Sequence, residues 1–185
     1  MNRFEHTPLF FDCEASGLAE DSYPIDIAVA EIAAPTRRWL IDPSSVDSWT
    51  HWNSESQNSH GYQRYDLVDW GEDACRVAEQ LHARLDGCVV LSDNPERDRL
   101  WVNKLYQDTG TLAPIYRVLD ANDQFRELLA LVEPDLHRRD ERLYNLKILA
   151  RAMHLPRHRA QSDAEYLRRL YVLVVQLTEP VLTTH

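Results

Sequence analysis

The sequence predicts an α/β protein: a five-stranded mixed sheet, three antiparallel strands first and then two parallel ones, flanked by helices. Two observations carry this. Three short strand patterns follow closely within the first 42 residues, as in an antiparallel meander. From Asp69 onward helical and strand patterns alternate, the way parallel strands enter a layered α/β architecture. The chain has 185 residues, enough for one full hydrophobic core, and 44% of them are apolar. No repeat, low-complexity tract or linker divides it, so residues 1–185 read as a single domain.

The elements follow in order. "TPLFFDCEAS" (7–16), "IDIAVAEIAA" (25–34) and "TRRWLID" (36–42) are the first three strands. The stretch 43–66 is rich in Ser, Asn and Trp without a clean period and reads as a long loop. Trp70, Ala74, Val77, Ala78, Leu81 and Leu85 then follow helical spacing. "GCVVLSD" (87–93) is a short buried strand and 94–107 a helix, with Asn94 as N-cap and Pro95 as first helical residue. "IYRVLDA" (115–121) is the fifth strand. Helices follow over 122–132, 138–155 and 160–177.

Composition narrows the function. Twenty basic and thirty acidic residues give a net charge of −10. That disfavours a broad electrostatic footprint on duplex DNA, though bound cations can still attract a polyanion to a carboxylate-rich site. Cys13, Cys75 and Cys88 match no metal-knuckle spacing and read as reduced core residues of a reducing compartment. "MNRFEHTPLF" lacks the apolar run of a signal peptide, and "LYVLVVQL" is too short to span a bilayer. The expectation is a soluble cytoplasmic protein.

"FFDCEASGL" (10–18) breaks the pattern of its own strand. Alternate strand residues share a face, so Asp12 and Glu14 point the same way as Phe10, opposite to Leu9, Phe11 and Cys13. Two such carboxylates repel unless a cation compensates, and a hard divalent ion takes oxygen ligands. Helical spacing sets Asp98 beside Trp101, Val102 and Leu105, on the face that should be apolar. An edge position paired with Arg97 or Arg99 is the structural alternative, and Asp93 competes for the functional role; helix geometry favours Asp98. Asp163 precedes Leu167, Leu170, Tyr171 and Val174, again on an apolar stripe, with His158 five residues earlier. Three distant segments that each place an acid on an apolar face point to a functional site.

These three segments, with "HGYQRYDL" (60–67), resemble the motifs of the DEDDh branch of the DEDD exonuclease superfamily, which includes ribonuclease T, oligoribonuclease and the proofreading exonuclease of bacterial DNA polymerase III. The resemblance covers about Thr7 to Leu177. It implies a ribonuclease H-like fold and a 3′-to-5′ exonuclease acting on single-stranded RNA or DNA 3′ ends. It implies two divalent cations, Mg²⁺ or Mn²⁺, held by Asp12, Glu14, Asp98 and Asp163, with His158 as general base. It places the terminal nucleotide against Ala15, Ser16 and Gly17, with Leu18 under the base and His60 near the sugar. Many small relatives are homodimers, so a homodimer is among the partners it implies. Trp49, Trp52 and Tyr62 either stack on bases or pin the long loop. Many relatives have Thr-Thr where this chain has Ala15-Ser16, and an aromatic where it has Arg97. A catalytically silent 3′-end binding module of the same fold is the alternative, and would show as loss of an acid or the histidine; none is missing here.

Overall fold

The computed structural model describes residues 7–153 and 158–182, with side chains through Thr178. Five strands form one sheet: β1 (Leu9–Ala15), β2 (Pro24–Ala30), β3 (Arg37–Leu40), β4 (Val89–Ser92) and β5 (Arg117–Asp120). Their order is β3-β2-β1-β4-β5. The pairs β1–β2 and β2–β3 are antiparallel, and β1–β4 and β4–β5 are parallel. The predicted fold class therefore holds, strand for strand.

Of the five longer helices, two lie on one face of the sheet and three on the other. Leu9, Phe11 and Cys13 of β1 join α3 (Ala74–Leu85) and α4 (Pro95–Thr109) in one core through Val77, Leu81, Val102 and Leu105. Phe10 of β1 and Leu91 of β4 join α5 (Ala121–Leu129), α6 (Leu136–Met153) and α7 (Ala160–Leu182) in a second core through Phe125, Leu143, Leu167 and Leu170. The alternation along β1 sets this division, because successive side chains point to opposite faces.

The stretch 43–66 differs from the expected loop. It holds a 3₁₀ turn at Pro43–Ser45, helix α1 (Ser54–His60) and the start of α2 (Arg64–Trp70). Capping makes these helices, not apolar periodicity. The Asn53 side chain accepts the Ser56 amide at 2.9 Å, and Gly61 ends α1 in the left-handed conformation at φ 71°. The Asp66 carboxylate accepts the Gln63 amide at 3.3 Å and opens α2. Each helix buries a single residue, His60 or Leu67, so no hydrophobic stripe announces it. Trp70, assigned to the next helix by spacing, is an exposed residue ending α2.

One further expectation changes, and two others are sharpened. Cys75 is exposed on the outer side of α3 rather than in a core, while Cys13 is buried; all three cysteines are free thiols. Trp49 and Tyr62 pin the long stretch, while Trp52 is half-buried and bonds Gln57 within it. Trp49 is buried, stacks on Tyr23 at 4.8 Å and donates its indole N–H to Asp108 at 2.6 Å. Tyr62 is also buried, which leaves neither ring open to a base. The helix expected over 138–155 runs from Leu136 to Met153 among the described residues; 154 and 155 lie outside them.

Candidate active site

The site lies at the C-terminal ends of β1 and β4. These strands pair only through Leu9 and Phe10, and β1 then continues five residues past the last paired position. That leaves Asp12 and Glu14 beside a gap rather than beneath a neighbouring strand. The gap opens into a cleft of about 720 Å³ whose lining includes Asp12, Glu14, Asp98, His158 and Asp163. Residues from β1, the first turns of α4 and α7, and the segment before α7 thus come together as the spacing required.

Each acid is held differently. Asp98 is 3% exposed; the Ser92 hydroxyl donates to its Oδ2 and accepts the Asn94 amide at 3.0 Å. Ser92 thus fixes the carboxylate. Asn94 occupies the N-cap, but its side chain accepts no helical amide. The competing Asp93 stands exposed at the mouth of the same cleft. Asp12 Oδ2 is buried and has no hydrogen-bond partner among the described residues. Glu14 and Asp163 are half-buried. Ligand atoms of Glu14, His158 and Asp163 all lie within 4.8 Å of one another, close enough to share one cation. His158 is exposed and is the one non-glycine residue with positive φ, 51°, among those described.

Burial and like charges dominate the electrostatics of Asp12 and Glu14. Burial pushes the Asp12 carboxyl well above its ordinary range, and Asp98, Glu14 and Asp163 push it further. Burial raises Asp98 in the same way, against the opposing Ser92 hydroxyl. Glu14 is pushed up to about 7 by burial, then by Asp163 and Asp26, with Arg159 pulling the other way. A buried acceptor oxygen without a donor, beside three more carboxylates, fits a bound cation; it fits an ion-pairing role poorly.

A second cavity of about 330 Å³ adjoins the first across Glu14 and Trp101. Ala15, Gly17, Leu18 and His60 line it. Gly17 has a steric reason: a Cβ there would come within 2.4 Å of His51 Cε1 and 2.9 Å of Ser22 Oγ. Ser16 is placed differently. It is fully buried behind this wall, where its hydroxyl accepts the Tyr23 amide at 3.2 Å. Leu18 is 65% exposed at the rim, and Arg97 donates to its carbonyl at 3.2 Å, which ties α4 to the turn after β1. His60 is buried and pushed down to about 4 by burial, with Arg159 adding to it. Its Nδ1 accepts the Tyr62 amide at 3.1 Å, so the proton sits on Nε2, which is buried without a partner among the described residues.

Several residues were not anticipated. Ser92 reads as an ordinary strand end. Trp101 reads as core, yet it lines both cavities; its position three residues after Asp98 on α4 was the available signal. Asp26 faces Glu14 across the β1–β2 ladder and is wholly buried, with two bonds from Arg38 at 2.8 and 3.0 Å.

No protein-family model and no curated protein matches the sequence. Solved structures do. E. coli exonuclease I, in a zinc-bound complex with single-stranded DNA, superposes with a TM-score of 0.70 at 16% identity, over 98% of this chain and 43% of that one. The same enzyme with a dT13 oligonucleotide gives 0.68 at 17% identity, over 97% and 43%. A structure of exonuclease I interpreted in terms of processivity gives 0.68 at 17% identity, over 95% and 42%. This chain therefore spans less than half the length of the exonuclease I chains it matches. No helix among the described residues is long and apolar enough to cross a membrane. The chain shares the α/β fold of E. coli exonuclease I.

Proposed function

We propose that the chain is a metal-dependent 3′-to-5′ exonuclease that hydrolyses the terminal phosphodiester of single-stranded nucleic acid and releases nucleoside monophosphates. The observation that carries this reading is the unpartnered, buried Asp12 Oδ2 in a cleft shared with Glu14, Asp98, Asp163 and His158. Asp12, Glu14, Asp98 and Asp163 would hold two divalent cations, Mg²⁺ or Mn²⁺. Bound there, such ions activate a water and stabilise charge on the attacking and leaving oxygens.

The protein's own groups do the rest. His158 is solvent-exposed beside Glu14 and Asp163, where it can take the proton of the attacking water and pass it to bulk. Ala15, Gly17 and Leu18 form the wall against which the terminal nucleotide lies. Neutral His60 offers its Nε2–H to the terminal sugar, a donor that has no partner among the described residues. Ser16 supports this wall from behind. Residues 1–185 would constitute one such domain, acting in the cytoplasm.

Exonuclease I is seen with single-stranded DNA, which makes DNA the first substrate to try. Labelled single-stranded DNA and RNA oligonucleotides are incubated with the protein and Mg²⁺ or Mn²⁺. Stepwise shortening from the 3′ end, abolished in Asp12→Asn, is expected. No shortening of either polymer with either metal would sink the proposal. Calorimetry that showed no metal binding would instead favour a silent 3′-end binding module.

A further inference from the structure

Arg159 directly follows the candidate base, and its guanidinium is stacked. Its central carbon lies 3.7 Å from the centroid of the Tyr62 ring. Its Nη2 is 3.2 Å from where a Cβ on Gly61 would sit, so the glycine leaves room for it. The ring beneath is itself fixed. The Tyr62 hydroxyl donates to Asp26 Oδ2 at 2.8 Å, and Arg38 holds both Asp26 oxygens. Arg159 therefore rests on a plate anchored to β2 and β3. On its other side, the Arg159 carbonyl accepts the Asp163 amide at 3.0 Å and so opens α7.

His158 stands immediately before this anchored residue, in a left-handed backbone conformation. A non-glycine residue holds that conformation only where its surroundings over-determine it. Its imidazole nonetheless comes within reach of Glu14 and Asp163. Next to that turn stands the stacked guanidinium of Arg159, fixed on Tyr62.

We propose that Arg159 is a positioning residue: clamped on Tyr62, it holds the turn at His158 and thereby sets the imidazole against Glu14 and Asp163. The inference rests on the exonuclease reading above. It explains why a base on an exposed segment can be placed to the accuracy that proton transfer needs, since small misplacements of reacting groups cost about 10²-fold.

The test compares Arg159→Ala, Tyr62→Leu and Tyr62→Phe with the wild type. Arg159→Ala should lower kcat roughly ten- to a hundredfold, within what a positioned base contributes. KM and Mn²⁺ affinity, read by calorimetry, should stay within about threefold. Tyr62→Leu keeps the charge but removes the plate, and should show the same kcat loss. Tyr62→Phe keeps the ring but loses its hydroxyl anchor to Asp26, and should show a smaller kcat loss than Tyr62→Leu; if Tyr62→Leu fails to fold, Arg159→Ala still decides the matter. In metal-free protein, hydrogen exchange of the amides at 160–163 should speed up in Arg159→Ala. Unchanged kcat, a kcat loss matched by lost Mn²⁺ affinity, or unchanged exchange would overturn the proposal. An inactive wild type would overturn the exonuclease reading instead, and the exchange measurement would then stand as the test of the clamp.

Discussion

Consider Glu14→Gln in chelator. Glu14 is half-buried at the end of β1 and its carboxyl is pushed from the ordinary 4.5 to about 7, first by burial and then by Asp163 and Asp26. The folded state thus holds this proton more tightly than the unfolded chain does. Stability from this group is greatest below about pH 4.5, falls as pH rises toward 7, and is flat above. At ~1.36 kcal/mol per pH unit, a rise from 4.5 to about 7 is about 3 kcal/mol of destabilisation at pH 8, and partial exposure trims it to about 2–3. A neutral glutamine of the same shape removes that term. For a chain of this size, ~1 kcal/mol corresponds to roughly 2–4 °C, so the metal-free variant should melt roughly 5–10 °C above wild type at pH 8 and close to it at pH 5. Saturating Mn²⁺ should narrow or reverse the gap, because a ligand at 100 times its Kd stabilises by ~2.7 kcal/mol and the variant has lost a ligand. Scanning calorimetry from pH 5 to 8, with and without Mn²⁺, reads all three. If wild type in chelator gains stability toward pH 8 and Glu14→Gln melts lower there, the acid cluster is compensated and the reasoning fails.

Three further outcomes are expected. Asp98→Asn should fold, since Ser92 can still donate to it, and should lose at least about 10² in kcat, as measured by oligonucleotide shortening. Arg38→Ala leaves the buried Asp26 with only the Tyr62 hydroxyl and should cost about 3 kcal/mol in denaturant unfolding, with a little relief because Arg38 itself is partly exposed. Gly17→Ala forces its Cβ against His51 and Ser22; overpacking of about 1–3 kcal/mol and a KM raised several-fold should follow, with kcat nearly unchanged.

The parts of this molecule legible in its sequence are those where one residue conflicts with its neighbours. Asp12, Glu14, Asp98 and Asp163 each interrupt an apolar face, and periodicity alone says which face. The five strands are legible because β1 and β2 bury both sides and β4 is a short apolar run. What stays hidden has no local signature. α1 and α2 are polar almost all round and exist through their caps and the buried His60 and Leu67. Ser16 looks like a substrate contact because it follows Ala15, but the bulge between Glu14 and Ala15 turns it into the wall. Arg159 on Tyr62 spans nearly a hundred residues, and only the tertiary fold brings them together.

The most direct argument for function comes from two aspartates in adjacent strands. Asp26 and Asp12 both sit in the central β1–β2 ladder, Asp26 opposite Glu14 and Asp12 opposite Ala28. Asp26 is fully buried and fully answered: Arg38 takes both oxygens and Tyr62 adds a third bond. So this sheet can neutralise a buried carboxylate, and does so with an arginine one strand away. At Asp12 it supplies no such partner. An oxygen is left without a donor among the described residues, and Asp98, Glu14 and Asp163, all of the same sign, push its carboxyl further up. A protein that satisfies one buried acid and concentrates four others is not using the second group for stability. Removing the answered acid's partner should weaken the fold, whereas neutralising Glu14 beside Asp12 should strengthen the metal-free fold; opposite signs from neighbouring positions in one sheet are what an ion-binding catalytic centre predicts and a structural ion-pair network does not.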